Sequence, residues 1–195
     1  MEYFYLEKEM LLAEGNKRFC FQHPNDFRKC IKVKKRRDGW EENLIEWFYL
    51  RSLSFKKYEV PCLVKCYGWV STNIGYGVVF DKVVDEDGSD SLTLKKFIKE
   101  EYEKLSCETV LEMAEELKKH CLGYSIAVTE PNENNIMVRK EASGCKFVLI
   151  DGIGGREGVS IKNILYIIFS FYARRKTKKQ FFRFEKKIKI WFDRG

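Results

Sequence analysis

The amide of Asn135 and the carboxylate of Asp151 are the side chains whose positions most clearly point to chemistry. Asn135 ends a polar loop and leads into the apolar run 136–138, whereas Asp151 follows the apolar run 147–150 and precedes Gly152. Mg²⁺ prefers oxygen ligands and keeps several waters, so one amide oxygen and one carboxylate suffice when phosphates supply the rest. These two side chains are therefore candidate magnesium ligands. The alternative is that Asn135 is a turn residue and Asp151 a cap or turn acid.

Glu130 is the candidate catalytic residue of the same region. It lies five residues before Asn135, on the same polar loop. A carboxylate there can accept a proton from a hydroxyl group or orient it. The alternative interpretation of Glu130 is a passive surface acid, and Glu133 is a weaker candidate for the catalytic role.

Lys32 and Glu46 form a second candidate pair nearer the start of the chain. Lys32 lies among apolar neighbours in an alternating strand pattern over 29–33, and Glu46 lies near the edge of the apolar stripe of a helix predicted over 41–53. A fixed ammonium offsets phosphate charge and needs an acidic partner to hold its direction. The alternative is an exposed strand lysine and a solvated helix glutamate.

The order of the predicted elements gives the fold class. Strand patterns occupy 10–14, 19–22, 29–33, 60–64, 66–70 and 76–80, with the helix 41–53 between the third and fourth. An acidic linker over 85–90 is followed by two helices, which Thr93 and Ser106 can cap, then the loop of Glu130, a hairpin over 136–150 and basic tail helices over 161–191. This order predicts an α+β fold with an antiparallel N-terminal sheet.

These residues resemble the protein-kinase-like superfamily and, more narrowly, the PhoP regulatory network (YrbL-like) family of small bacterial kinase-like proteins. The closer resemblance is carried by Arg28-Lys29-Cys30-Ile31-Lys32-Val33, the Glu46 helix, Asn134-Asn135-Ile136-Met137 and Asp151-Gly152-Ile153-Gly154. It covers about 11–155. The resemblance implies a compact two-lobed kinase-like fold, with an N-lobe over 1–84 and a shortened, mainly helical C-lobe over 85–195.

The resemblance also implies ATP and Mg²⁺ as cofactors. Lys32 then contacts the α- and β-phosphates with Glu46 as its partner, and Asn135 and Asp151 hold the metal. Gly15 resembles the first glycine of a phosphate-covering loop, where Lys17 or Arg18 adds positive charge; an ordinary hairpin is the alternative there. The run over 78–83 resembles the strand and hinge that bind adenine through backbone groups. The residues expected to contact the nucleotide are therefore Gly15, Lys17, Lys32, Phe80, Asp81 and Val83.

Two functions remain open from the residues. Glu130 stands where a kinase has its catalytic Asp, with Val128 and Thr129 in place of the preceding His and Arg. A kinase acting on a small molecule, a sugar, a lipid or a protein is the first expectation, and a pseudokinase that binds a regulatory partner is the second. Only 44 residues follow Asp151, too few for the peptide-docking part of a full protein kinase.

Charge is concentrated at the end of the chain. Residues 1–155 contain 24 Lys and Arg against 26 Asp and Glu, whereas residues 156–195 contain 12 against three. The basic tail helix, with an aromatic and aliphatic stripe, could contact an anionic membrane; the alternative is that the stripe packs on the C-lobe and the lysines are solvated. Nucleic-acid binding is the least favoured expectation. The stripe consists of Phe181, Phe184, Ile188 and Trp191.

The cysteines and the first residues predict a cytoplasmic protein, with peripheral contact at the inner membrane face as an option. Seven cysteines occur at scattered spacings without a CxxC pair, which is untypical of a disulfide framework or a zinc site. Residues 1–5 are acidic and aromatic and do not match a signal peptide.

Overall fold

The computed structural model describes residues 1–35, 41–55, 60–101, 106–155 and 161–193. These residues form nine strands and five α-helices, and the predicted α+β class is confirmed. The strands are β1 (Tyr3–Phe4), β2 (Leu11–Glu14), β3 (Arg18–His23), β4 (Asp26–Lys34), β5 (Cys66–Thr72), β6 (Gly75–Asp81), β7 (Leu92–Thr93), β8 (Ile136–Glu141) and β9 (Gly144–Leu149). The helices are α1 (Glu41–Phe55), α2 (Leu94–Glu101), α3 (Cys107–Gly123), α4 (Ile161–Ile168) and α5 (Ser170–Asp193).

A six-stranded sheet in the order β1-β5-β6-β4-β3-β2 forms the N-terminal part of the described chain. All its pairs are antiparallel except β1 with β5, which run parallel. Strand β4 is central and its side chains alternate between the two faces. Ile31 and Val33 pack with Leu6 on one face, whereas Cys30 lies in the core on the other face with Leu50 of α1. This alternation directs Lys32 toward α1.

A three-stranded sheet in the order β7-β8-β9 lies in the C-terminal part, where α3 and α5 pack together. Ser106 caps α3, as predicted, by accepting a hydrogen bond from the Thr109 amide at 3.1 Å. Lys118 of α3 pairs with Glu185 of α5 at 2.8 Å. Helix α5 presents a stripe of buried side chains to this core: Ala173, Thr177, Phe181, Phe184 and Ile188.

The segment over 60–64 links the two sheets and corrects one prediction. It was expected to be a strand, but it forms a turn with a single bridge between Leu63 and Leu149. Pro61 has no amide hydrogen to donate to a ladder. The segment instead exchanges hydrogen bonds with β9: the Leu149 amide donates to the Cys62 carbonyl at 2.9 Å, and the Val64 amide donates to the Leu149 carbonyl at 3.3 Å.

The predicted tail helices are present as α4 and α5. A break at Phe169 ends α4 at Ile168 and starts α5 at Ser170. Phe181, Phe184 and Ile188 are buried, so the predicted stripe packs inside the protein. Within the described ranges, no helix combines the length and the apolar character required to cross a membrane.

The predicted linker over 85–90 is a turn fastened to β8. Asp85 is buried, and its carboxylate accepts hydrogen bonds from the Ser91 hydroxyl and from the Lys140 amide. The Glu86 amide donates to the Lys140 carbonyl at 2.9 Å. The acidic run that the sequence analysis interprets as a linker is therefore held by side-chain and backbone hydrogen bonds.

Candidate functional site

Lys32 and Glu46 lie together in the space between the larger sheet and the end of β9. Only 8% of Lys32 and 4% of Glu46 is exposed. The Lys32 Nζ donates to the Ile150 carbonyl at 2.6 Å, lies 3.4 Å from Glu46 Oε1, and lies 4.3 Å from the ring centroid of Phe80. The predicted pairing of this lysine with the helix glutamate is present, and both alternatives, an exposed lysine and a solvated glutamate, are wrong.

Arg18 joins this pair to Asp151. It comes from β3, the neighbour of β4 in the sheet. One guanidinium nitrogen lies 2.5 Å from Glu46 Oε2, and the other is bonded to Asp151 Oδ2. Two cations and two carboxylates thus form a chain in the order Lys32, Glu46, Arg18, Asp151. The sequence suggested only that Arg18 adds positive charge near a phosphate.

The charges in this cluster favour the ionised forms of Arg18 and Asp151. Burial opposes ionisation of Asp151, but the charges of Arg18 and Lys32, together with the Gly152 amide at 2.6 Å from Oδ1, lower the pKa of Asp151 to about 2. Burial also works against the Arg18 cation. The negative charges of Glu46 and Asp151 outweigh it and raise the pKa of Arg18 above its ordinary value. Asp151 is therefore an anion at any physiological pH.

The loop of Glu130 and Asn135 packs against the turn that follows Asp151. The Gly152 carbonyl accepts hydrogen bonds from the amides of Thr129 (2.7 Å) and Glu130 (3.1 Å), and the Asn135 Nδ2 donates to the Glu130 carbonyl at 2.9 Å. With Nδ2 used in this way, the Asn135 amide oxygen is the atom left to serve as a ligand. The Asn135 carbonyl accepts a hydrogen bond from the Ile150 amide at 2.9 Å. This bond holds the backbone of Asn135 against the residue that precedes Asp151.

Gly152 permits this close approach. Its φ is +78°, a conformation that L side chains rarely adopt. A Cβ there would lie 2.6 Å from the Glu130 carbonyl oxygen and 3.0 Å from Asn135 Nδ2. Glycine at this position therefore allows the two halves of the predicted metal site to come together.

Tyr49 is a site-supporting residue that the sequence analysis missed. It lies three residues after Glu46 on α1, and its hydroxyl accepts a hydrogen bond from the Ala127 amide at 2.6 Å. Its ring packs on Gly154, which has a φ of +74°. The Gly154 amide in turn donates a hydrogen bond to the Ala127 carbonyl at 2.9 Å. Burial raises the pKa of Tyr49 above its ordinary value, so the hydroxyl stays protonated. The tyrosine fixes α1, and with it Glu46, to the Asp151 turn.

The predicted nucleotide contacts lie in the turn between β2 and β3, on β4 and β6, and directly after β6. The Gly15 amide donates to the Arg18 carbonyl at 2.9 Å, closing a turn in which Lys17 is exposed. Phe80 is fully buried below Lys32, and its ring is not open to a ligand. The Asp81 carboxylate is used within the sheet, where it accepts from the Lys65 amide and the Tyr67 hydroxyl.

The remaining hinge residue, Val83, is buried, and its carbonyl accepts the Ser91 amide at 3.3 Å. The Asp81 carbonyl oxygen faces Cys30, whose Sγ lies 3.7 Å away.

Cys20 places a thiol beside the cations of the site. It is opposite Lys32 in the pairing of β3 with β4. A hydrogen bond from Cys30 lowers the pKa of Cys20 to about 7; burial acts against this shift, and the charges of Lys32 and Arg18 assist it. The same interaction, with burial, raises the pKa of Cys30.

The donor set fits Mg²⁺ held jointly with phosphates. Among the described residues, no group of three or more His, Cys, Asp or Glu side chains is arranged to hold a metal ion alone. Mg²⁺ typically takes one or two protein ligands, with phosphates and waters for the rest. Asp151, with the Asn135 amide oxygen beside it, meets that requirement, provided that Arg18 releases Asp151 Oδ2.

Comparison with known proteins gives one family. Residues 4–189 match the family described as PhoP regulatory network protein YrbL. Two relatives, each described as "Uncharacterized protein YrbL", come from Escherichia coli (strain K12) and Shigella flexneri. Each is 27% identical over 152 residues, which cover 76% of this chain and 72% of the relative.

Proposed function

The chain belongs to the PhoP regulatory network protein YrbL family, and we propose that it binds ATP with Mg²⁺ and transfers a phosphoryl group to an acceptor. The observation that carries the proposal is the ion cluster of Arg18, Lys32, Glu46 and Asp151 beside the loop of Asn135. The same arrangement supports our proposal that the fold belongs to the protein-kinase-like superfamily. The proposed activity also assigns the chain to the cytoplasm, where ATP is available.

Lys32 is the proposed contact for the α- and β-phosphates. A buried ammonium held by the Ile150 carbonyl and by Glu46 has a fixed direction and little water around it. Both conditions strengthen its attraction for a phosphate oxygen. Glu46 acts as the positioning residue, because its two carboxylate oxygens separately hold Lys32 and Arg18.

Asp151 and Asn135 are the proposed metal ligands. When bound, Mg²⁺ supplies charge neutralisation between the phosphates. The low pKa of Asp151 keeps the carboxylate ready to bind a cation. Arg18 supplies that cation in the absence of a ligand, so the guanidinium must leave Asp151 Oδ2 before a metal ion can bind there.

Glu130 is the proposed residue that orients the acceptor hydroxyl. Its backbone is fixed, since its amide donates to the Gly152 carbonyl and its own carbonyl accepts from Asn135. The side chain is partly exposed, as a group that meets an acceptor must be. The acceptor is a small molecule, a sugar or lipid, or a protein.

A pseudokinase is the second candidate function, and two observations favour it. Glu130 is one methylene longer than the Asp expected at its position, and a displacement of about 1 Å can cost a large part of the rate. Arg18 also neutralises the metal-type carboxylate from within the chain. In this candidate function the protein binds a regulatory partner and transfers little or no phosphate.

Thermal-shift titration with ATP, with and without Mg²⁺, tests nucleotide and metal binding. We expect the unfolding midpoint to rise with ATP concentration and to rise further when Mg²⁺ is added, because a ligand that binds the folded state stabilises it. In Asp151→Asn, the additional rise of the unfolding midpoint that Mg²⁺ causes should be absent. The matched control is Asp87→Asn, which removes an exposed carboxylate that accepts hydrogen bonds from the amide and the hydroxyl of Ser89.

Two results would contradict the proposal: no shift with Mg²⁺ and ATP, or a Mg²⁺-dependent shift of equal size in Asp151→Asn. If binding is present, ATP turnover distinguishes the two candidate functions. A kinase should lose about 10²-fold or more of its turnover in Glu130→Gln. A pseudokinase should show the same negligible turnover in both forms.

A further inference from the structure

The junction between α4 and α5 exposes large apolar side chains. Exposure reaches 62% at Ile168, 50% at Phe169, 67% at Phe171 and 48% at Tyr172. The backbone is tightly held there, since the Phe169 amide donates to the Leu165 carbonyl at 2.9 Å. We call residues 168–172 the apolar knuckle. Several large exposed apolar side chains on adjacent residues are typical of an interaction surface.

The outer face of α5 continues from the knuckle as a basic strip. Because one face of α5 is buried through Ala173, Thr177 and later residues of the stripe, the opposite face is presented to solvent. Phe171 and Phe182 lie on that outer face at 67% and 58% exposure. Between and beyond them the same face carries the exposed cations Arg175, Lys178, Lys179, Lys186 and Lys189.

The charge of this strip is strongly one-sided. Residues 170–193 contain nine Lys and Arg against two acids, Glu185 and Asp193. Glu185 is turned toward α3, where it pairs with Lys118. Twenty-four helical residues extend about 36 Å, so the cations and aromatic rings form one long straight surface.

We propose that the apolar knuckle and the outer face of α5 bind the surface of an anionic lipid bilayer. The helix lies along the membrane plane, the knuckle and Phe182 enter the headgroup region, and the lysines and arginines pair with lipid phosphates. This surface is opposite to the stripe that the sequence suggested for membrane contact, whose Phe181, Phe184 and Ile188 are buried. The proposal does not depend on nucleotide binding.

A bilayer fits this surface better than a nucleic acid does. The knuckle contains the aliphatic side chain of Ile168 as well as aromatic rings, and the exposed Ile164 (44%) precedes it by one helical turn. Aliphatic side chains gain free energy by leaving water for acyl chains, whereas single-stranded nucleic acid offers them mainly sugar, phosphate and stacked bases. The cations alone suit either partner, so the apolar residues decide between them.

Vesicle co-sedimentation of the full chain tests the proposal. We expect binding to vesicles of phosphatidylcholine with 30% phosphatidylglycerol, and at least tenfold weaker binding to pure phosphatidylcholine. Phe171→Gln with Phe182→Gln should reduce partitioning about tenfold, and Lys178→Gln with Lys179→Gln should do the same. All four side chains are exposed, so folding should be retained, as circular dichroism would verify.

Matched controls remove the same groups from other surfaces. Lys95→Gln with Lys96→Gln removes two exposed charges from α2, and Phe27→Gln with Tyr3→Gln removes two exposed rings from the larger sheet. Neither control should change binding by more than about twofold. Equal binding to neutral and anionic vesicles, or no binding to either, would overturn the proposal.

A competition experiment with RNA distinguishes nucleic-acid binding from membrane binding. A 30-nucleotide RNA of mixed sequence should compete poorly with anionic vesicles if the bilayer is the partner. Tighter binding to that RNA than to the vesicles, lost in the lysine variant and retained in the phenylalanine variant, would replace the membrane with a nucleic acid as the partner and overturn the proposal.

Discussion

The ion pair between Arg18 and Asp151 determines whether the carboxylate is available to a metal ion. Asp151 has one carboxylate oxygen on the Gly152 amide and the other on Arg18. A guanidinium and a divalent cation cannot share that second oxygen without strong repulsion. The resting site is therefore satisfied internally, and a metal ion must compete with a side chain of the same protein.

Arg18→Gln should lower the Mg²⁺ concentration needed for half-maximal stabilisation by saturating ATP, by about tenfold. Loss of one charge-assisted hydrogen bond of roughly 1.5–3 kcal/mol is the physical reason, because the metal no longer displaces it. A Mg²⁺ titration followed by thermal shift measures this, with the exposed Arg28→Gln as the control. A higher Mg²⁺ requirement in Arg18→Gln would show that the guanidinium binds the phosphates and does not compete with the metal.

The site depends on the relative position of two elements, helix α1 and the turn after Asp151. Glu46 and Tyr49 lie on α1, and Tyr49 contacts both Ala127 and Gly154. The bridge between Val128 and Ile153 joins the loop of Glu130 to the same turn. Packing at Gly154 therefore controls where the partner of Lys32 lies.

Gly154→Ala should destabilise the protein by about 2–4 kcal/mol. The residue has a positive φ, and its new Cβ would lie 2.6 Å from the Tyr49 ring, so strain and a clash act together. Gly88→Ala is the matched control, since Gly88 has a φ of +87° with no atom within 4 Å of the added Cβ. Urea unfolding should show a cost of only about 1 kcal/mol for the control. Equal costs in the two variants would contradict the proposed role of the Tyr49 contact.

At the scale of the whole molecule, the ion cluster is one of the links between the larger sheet and the C-terminal part. Arg18 and Lys32 come from the sheet, whereas Asp151 and the Ile150 carbonyl follow β9. The hydrogen bonds between 62–64 and Leu149 make a second link nearby. Protonation of Asp151 should weaken the first link and leave the second intact.

This link predicts a specific dependence of stability on pH. The pKa of Asp151 is lowered to about 2 from an ordinary value of 3.8, so its contribution to folding is complete above about pH 4 and is lost as the pH falls through 2. Wild type should therefore lose more stability than Asp151→Asn between pH 4 and pH 2, as measured by urea midpoints. Other acids titrate equally in the two proteins. Parallel pH curves would mean that the ion pair does not stabilise the fold.

The sequence by itself determined much of the element order and the identity of the paired residues. Strand alternation, helix periodicity and the Ser106 cap are local properties, so β2, β3, β4, β5, β6, α1 and α3 could be predicted to within a few residues. The pairing of Lys32 with Glu46 followed from motif order. Strands β1 and β7 were not predicted because each has only two residues, too few to show an alternating pattern. The strand predicted over 60–64 was wrong, and Pro61, which has no amide hydrogen to donate, is the residue that argues against it.

Only the tertiary structure decided which charges meet and which face of the tail is free. Arg18 and Asp151 are 133 residues apart, and no local pattern encodes an ion pair over that distance. The Tyr49 contact with Gly154 likewise depends on how a helix and a turn pack. Both faces of α5 carry aromatic side chains, so periodicity alone does not determine which face the core buries. Packing against α3 buries the face of Phe181 and Phe184 and leaves the face of Phe171 and Phe182, with its cations, in solvent.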